Sequence, residues 1–181
     1  MTSDPYQLMT AATSVIMTIV SFIGYRKTEH ALKGFFGTYV IACVFSVINH
    51  LSIDHTTTMY MAGFVAEAVA FLFLAVHVKD KYETKTPTYV FITLAVACFA
   101  WKLLDQESFF PTMVVVGLIV IHAFITSLMC SSKWLALGTG MFLLSIPVLF
   151  NILPRVLYLD QNGWAHLLWI VGLLFLDKDS E

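Results

Sequence analysis

Seven apolar stretches of membrane-crossing length, joined by connections of only a few residues, constrain this chain more than any other feature of its sequence. A helix crosses the hydrocarbon core of a bilayer with about 20 mostly apolar residues, within a working range of roughly 17–25. The stretches fall at about 7–25, 33–53, 59–78, 86–104, 110–130, 134–153 and 163–176. The last is short and needs tilt or local thinning of the bilayer. Composition agrees: 59% of the 181 residues are hydrophobic, 12% are charged, and mean hydropathy is +0.81. A soluble domain carries about 45–50% apolar and about 25% charged residues, so this chain has too much apolar surface for one water-facing globule. The expected fold is all-α, an integral membrane bundle of seven transmembrane helices. It is a single transmembrane domain over residues 1–181, with sequential helices as antiparallel neighbours and no internal repeat.

Basic residues orient the bundle, because Lys and Arg concentrate in cytoplasmic connections. Arg26, Lys27, Lys33, Lys79, Lys81, Lys85, Lys133 and Lys178 flank the first, third and fifth connections and the tail, against Lys102 and Arg155 opposite. That places the N-terminus outside and the C-terminus in the cytoplasm, in a plasma or inner membrane. The N-terminal MTSDPYQ carries no basic residue, and the first apolar run meets Arg26 and Lys27 without a small-residue cleavage site. That run therefore reads as a retained span rather than a signal peptide. Trp101, Trp134, Trp164 and Trp169 lie mostly near span ends, as interface anchors do. A formal charge of −2 offers no basic field for nucleic acid. Cys43, Cys98 and Cys130 show no CxxC or CxxCH pattern and read as small apolar residues. Pro111 suits the first turn of a helix, whereas Pro147 falls inside the sixth span and is expected to kink it.

Polar groups inside these spans are costly and need a partner or a purpose. The hairpin from Ser46 to Ala68 concentrates them. Ser46, Asn49 and His50 share one face of the second helix at i, i+3 and i+4. At 1.5 Å per residue, Asn49, His50, Glu67, Lys102, Asn151 and His166 all fall in the outer half of the bundle. Five helices aiming polar atoms at one level predict a polar pocket open to the outside, with Asn49, His50, Lys102, Asn151 and His166 around a ligand. Glu67 is the candidate catalytic group. A lone carboxylate in hydrocarbon is neutralised, by a proton or a countercharge, rather than left charged and unpaired. The alternative is a structural Glu67 bonded to Asn49 or a backbone carbonyl, since interhelical polar contacts are a routine packing device.

Two cofactor patterns compete with the pocket. His50 with His166 and His77 with His122 form two pairs at different depths, as bis-histidine b-type haems require. Asp54 and His55, next to His50, offer with His166 a three-ligand zinc set. No HExxH motif frames them, so no metal centre is assigned, and Asp54 reads equally as a helix cap before Met59.

The run NHLSIDHTTTMYMAGFVAEAVAFLF resembles the helical hairpin of the lysoplasmalogenase-like (YhhN) membrane family. The segment Gly138–Asn151, GTGMFLLSIPVLFN, is similar to a later helix of that family, and WAHLLWIVGLLFL to its last span. The resemblance implies a polytopic hydrolase that cleaves the vinyl ether of lysoplasmalogens with two intramembrane aspartates. Here those positions are Asn49 and Ile146, and neither side chain is a general base. If an enzyme, the chain is a divergent lipid hydrolase, with Glu67 as substitute carboxylate. The count of seven with an outside N-terminus is also similar to microbial rhodopsins, but the seventh span holds no lysine for retinal.

Three functions follow as expectations. The chain binds or acts on a small amphiphile or membrane lipid in the outer-half pocket; it carries haem b for electron transfer; or it is a non-catalytic subunit or sensor. In the last case its polar residues hold helices together or meet a membrane-protein partner or a second copy.

Overall fold

The computed structural model describes residues 5–51, 57–83, 90–94, 96, 97, 100, 110–149 and 159–180. The described residues are almost entirely helical and fall in seven helices. They are α1 (Pro5–Lys27), α2 (His30–Leu51), α3 (Thr57–Tyr82), α4 (described over residues 90–94), α5 (Phe110–Met129), α6 (Lys133–Leu149) and α7 (Gln161–Lys178). Helix is what such a sequence must form in hydrocarbon, where every backbone N–H and C=O needs a partner within its own segment.

Among the described residues, three helices are long and apolar enough to cross a membrane: Pro5–Lys27, His30–Leu51 and Met61–Tyr82. Met113–Met129 and Lys133–Val148 are shorter apolar helices. The distribution of side chains points the same way. Val15, Ile16, Ile19, Phe22 and Ile23 project outward from α1, and Leu118, Ile121, Ile125 and Leu128 from α5. The buried face of α1 instead carries Thr10, Thr13, Ser14, Ser21 and Gly24. Water would drive the opposite arrangement. An apolar exterior around small and polar interior residues is the pattern of helices packed in lipid.

Packing runs from α1 to α2, α2 to α3, α3 to α5, α5 to α6, α6 to α7 and α7 back to α1. The described helices thus close a ring. Its centre is filled by aromatic rings meeting edge to face. Phe71 of α3 lies 5.6 Å from Phe35 of α2 and 5.3 Å from Phe142 of α6, at interplanar angles of 77° and 86°. On the α6–α7 side the backbones touch. A Cβ on Gly172 would stand 3.0 Å from the Gly138 carbonyl oxygen, and one on Gly138 would stand 3.1 Å from that of Gly172.

Two expectations change. Trp169 is no interface anchor: its indole N–H donates to Ser145 Oγ at 2.6 Å, and its ring packs among Tyr39, Phe142 and His166. Cys130 is exposed in the turn after α5, whereas Cys43 is buried. Pro147 does lie inside α6.

Candidate functional site

The polar residues gather in three places. The first is at the end of the bundle where α1 begins. Asp160 caps α7, accepting from the Gly163 N–H at 2.9 Å, and receives the Thr10 hydroxyl of α1 at 3.2 Å. One carboxylate therefore satisfies a free helix N–H and pins α7 to α1. Just below it, His166 of α7 is buried, with Nδ1 3.0 Å from Thr13 Oγ1 and 3.4 Å from Ser14 Oγ. Thr13 Oγ1 also lies 2.9 Å from the Thr10 carbonyl, which can only accept. The single hydroxyl proton goes there, so Thr13 is left to accept from an Nδ1–H, and Nε2 of His166 becomes the ring's acceptor. Ser14 in turn lies 3.0 Å from Ser46 Oγ on α2. The His50 ring meets the His166 ring edge-on at 6.1 Å.

The second place is nearer the middle. Glu67 is buried, and its Oε1 has no hydrogen-bond partner among the described residues. It lies within electrostatic reach of Tyr39 and Cys43 on α2. His50 and His166 come together against α1, while Glu67 turns toward α2. The Trp169 ring lies 5.9 Å from that of His166 and 6.4 Å from that of Tyr39.

The third place is the opposite end, where α1 and α3 finish. Asp179, just past α7 and 3% exposed, is the hub. His77 Nε2 lies 3.0 Å from its Oδ2, Ser132 Oγ and Tyr82 Oη donate to its Oδ1 at 2.9 and 3.0 Å, and Lys81 Nζ lies 3.3 Å from Oδ2. Lys81 also donates to the Asp179 backbone carbonyl. Burial pushes the Asp179 carboxyl upward, but the bonds from His77, Ser132 and Tyr82 and the Lys81 charge outweigh it. The net position is below the ordinary value. Close by, Lys27 pairs with Asp177 at 3.1 Å.

This bears on the histidine pairs. His77 spends its Nε2 on Asp179, and His122 packs on Phe91 with ring centroids 5.4 Å apart. Each has a described partner other than its proposed mate. Lys102, Asn151, Asp54 and His55 lie outside the described residues, and among the described residues no three His, Cys, Asp or Glu side chains cluster as metal ligands.

Sequence reasoning passed over Thr10, Thr13, Ser14 and Ser21, although 10, 13/14, 21 and 24 put small residues along one helical stripe, interrupted by Met17. It passed over Asp160 too, whose Asp-x-x-Gly spacing is an N-cap signal, and Asp179, which looks like a solvated tail. Compared with protein-family models, curated proteins and solved structures, the chain matches none.

Proposed function

We propose that this is a seven-span membrane protein, N-terminus outside and C-terminus cytoplasmic, holding the polar head of a small amphiphile or lipid between α1, α2 and α7. The observation that carries this is the His50–His166 contact, with His166 oriented by α1 hydroxyls and its Nε2 left as an acceptor. Hydroxyls, imidazoles and the Asn49 amide are hydrogen-bonding groups, and the Asp160 carboxylate beside them is the one acidic member, a set that suits an uncharged or zwitterionic head. The apolar exterior of α1 and α5 supports a lipid setting. Asn49 and Ile146 supply no carboxylate where the resembling family has aspartates, so the proposal is binding rather than hydrolysis.

The test is lipid mass spectrometry, with an absorbance spectrum, on protein purified in mild detergent. One amphiphile enriched over bulk lipid, and lost in His166→Leu and His50→Ala, is the expected result. Bulk lipid alone in wild type, or unchanged enrichment in both variants, refutes it. A Soret band would assign the two histidines to haem instead.

A further inference from the structure

We infer that Ser21, Tyr39 and Glu67 form a buried site for one monovalent cation in the middle of the bundle. The site is separate from the proposed headgroup pocket and stands without it. Ser21 Oγ on α1, Tyr39 Oη on α2 and Glu67 Oε1 on α3 are all buried; Tyr39 Oη and Glu67 Oε1 have no hydrogen-bond partner among the described residues, and Ser21 Oγ meets only the weakly bonding Cys43 thiol. Their residues are 0%, 1% and 9% exposed. Buried polar atoms are rarely left this way, because each has given up water without replacement. Helix α1 packs against α2 and α2 against α3, so the three atoms lie on consecutively packed helices. Cys43, a turn beyond Tyr39, lies beside Ser21 and within electrostatic reach of Glu67, and Tyr39 lies within electrostatic reach of both Cys43 and Glu67. The thiol is a weak donor and acceptor and cannot satisfy them. At 1.5 Å per residue, Tyr39 stands about 14 Å from the start of α2 and Glu67 about 15 Å from the start of α3. Both are near mid-helix.

The donor set selects the ligand. Carboxylate, phenol and hydroxyl oxygens are hard donors that suit alkali and alkaline-earth ions rather than soft metals. A single carboxylate in low dielectric balances one positive charge, and a divalent ion would leave one uncompensated. None of the ion pairs among the described residues uses Glu67. Water alone would bridge the hydroxyls but leave the carboxylate unbalanced. A proton would neutralise Glu67 and add a single donor, which can serve only one of the two hydroxyls. A small cation does both.

Thermal unfolding of the whole protein in neutral detergent tests this, with NaCl, LiCl or KCl titrated against choline chloride at fixed ionic strength. One of the alkali cations should raise Tm saturably, by about 3–6 °C at ten times its dissociation constant, and choline should not. Glu67→Gln should abolish the rise. Tyr39→Phe, which keeps the ring packing, should weaken the apparent affinity about tenfold, the effect of losing one charge-assisted bond. Equal Tm in all four salts, or an undiminished rise in the variants, overturns the inference. If Glu67→Gln does not fold, Tyr39→Phe and Ser21→Ala decide it.

Discussion

Replacing Asp179 with alanine should cost this protein more stability than any other single change in its C-terminal turn. The carboxylate joins three elements: His77, Lys81 and Tyr82 of α3, Ser132 ahead of α6, and its own position after α7. A hydrogen bond to a charged group contributes about 1.5–3 kcal/mol net. The Lys81 pair is discounted for solvent screening, since that side chain is 38% exposed. The bonds from His77, Tyr82 and Ser132 remain. They share two oxygens and are not additive, so about 3–5 kcal/mol is expected, the range for breaking a buried ionic contact. At roughly 2–4 °C per kcal/mol for a chain of this size, Tm should fall by about 6–20 °C, followed by tryptophan fluorescence. Asp179→Asn keeps an acceptor and should lose less. A carboxyl held below its ordinary value of 3.8 contributes its stability in full above that value. The contribution fades as pH falls from there through the lowered folded value. The gap between wild type and Asp179→Asn should therefore be flat near neutrality and close on acidification. An Asp179→Ala protein within 1 °C of wild type (roughly the resolution of a Tm comparison) would refute the reasoning, because the turn would then not be docked.

Three further outcomes follow from the packing. Gly172→Ala places a Cβ 3.0 Å from the Gly138 carbonyl and should cost about 1–3 kcal/mol, whereas Gly117→Ala meets nothing within 4 Å and should be neutral or slightly stabilising; paired melts separate them. Thr13→Val removes the nearer acceptor for His166 Nδ1–H and leaves Ser14 Oγ at 3.4 Å, so nitrogen NMR of the imidazole should show a reduced share of that tautomer, with a cost of about 1–3 kcal/mol. Ser145→Ala strands the half-buried Trp169 N–H and should shift its emission and lower stability by about 1–3 kcal/mol.

The expected spans and the observed helices nearly coincide: about 7–25 against Pro5–Lys27, 33–53 against His30–Leu51, and 163–176 against Gln161–Lys178. The partners within the bundle were far less legible. Ser46 and His50 were readable as one face, but nothing local says that this face meets Ser14 and His166. Thr10, Thr13 and Ser14 attract no notice in an apolar run, because a hydroxyl there can bond back to its own helix at no visible cost. Trp169 sits near a span end in the sequence, yet its N–H is taken by Ser145 across the bundle. His77 and Asp179 are separated by 102 residues, and only the return of α7 beside α3 brings them together.

What the sequence determined by itself is that the chain is helical and apolar on the scale of a bilayer. Length and hydropathy suffice for that, because backbone polar groups have no other refuge in hydrocarbon. What the tertiary structure alone decided is the rotation of each helix about its axis, and hence which polar groups meet. Helices apolar all round can turn with little change in buried apolar area. Their facing is chosen by close contacts such as Gly138–Gly172 and by hydrogen bonds such as those of His166, Asp160 and Asp179.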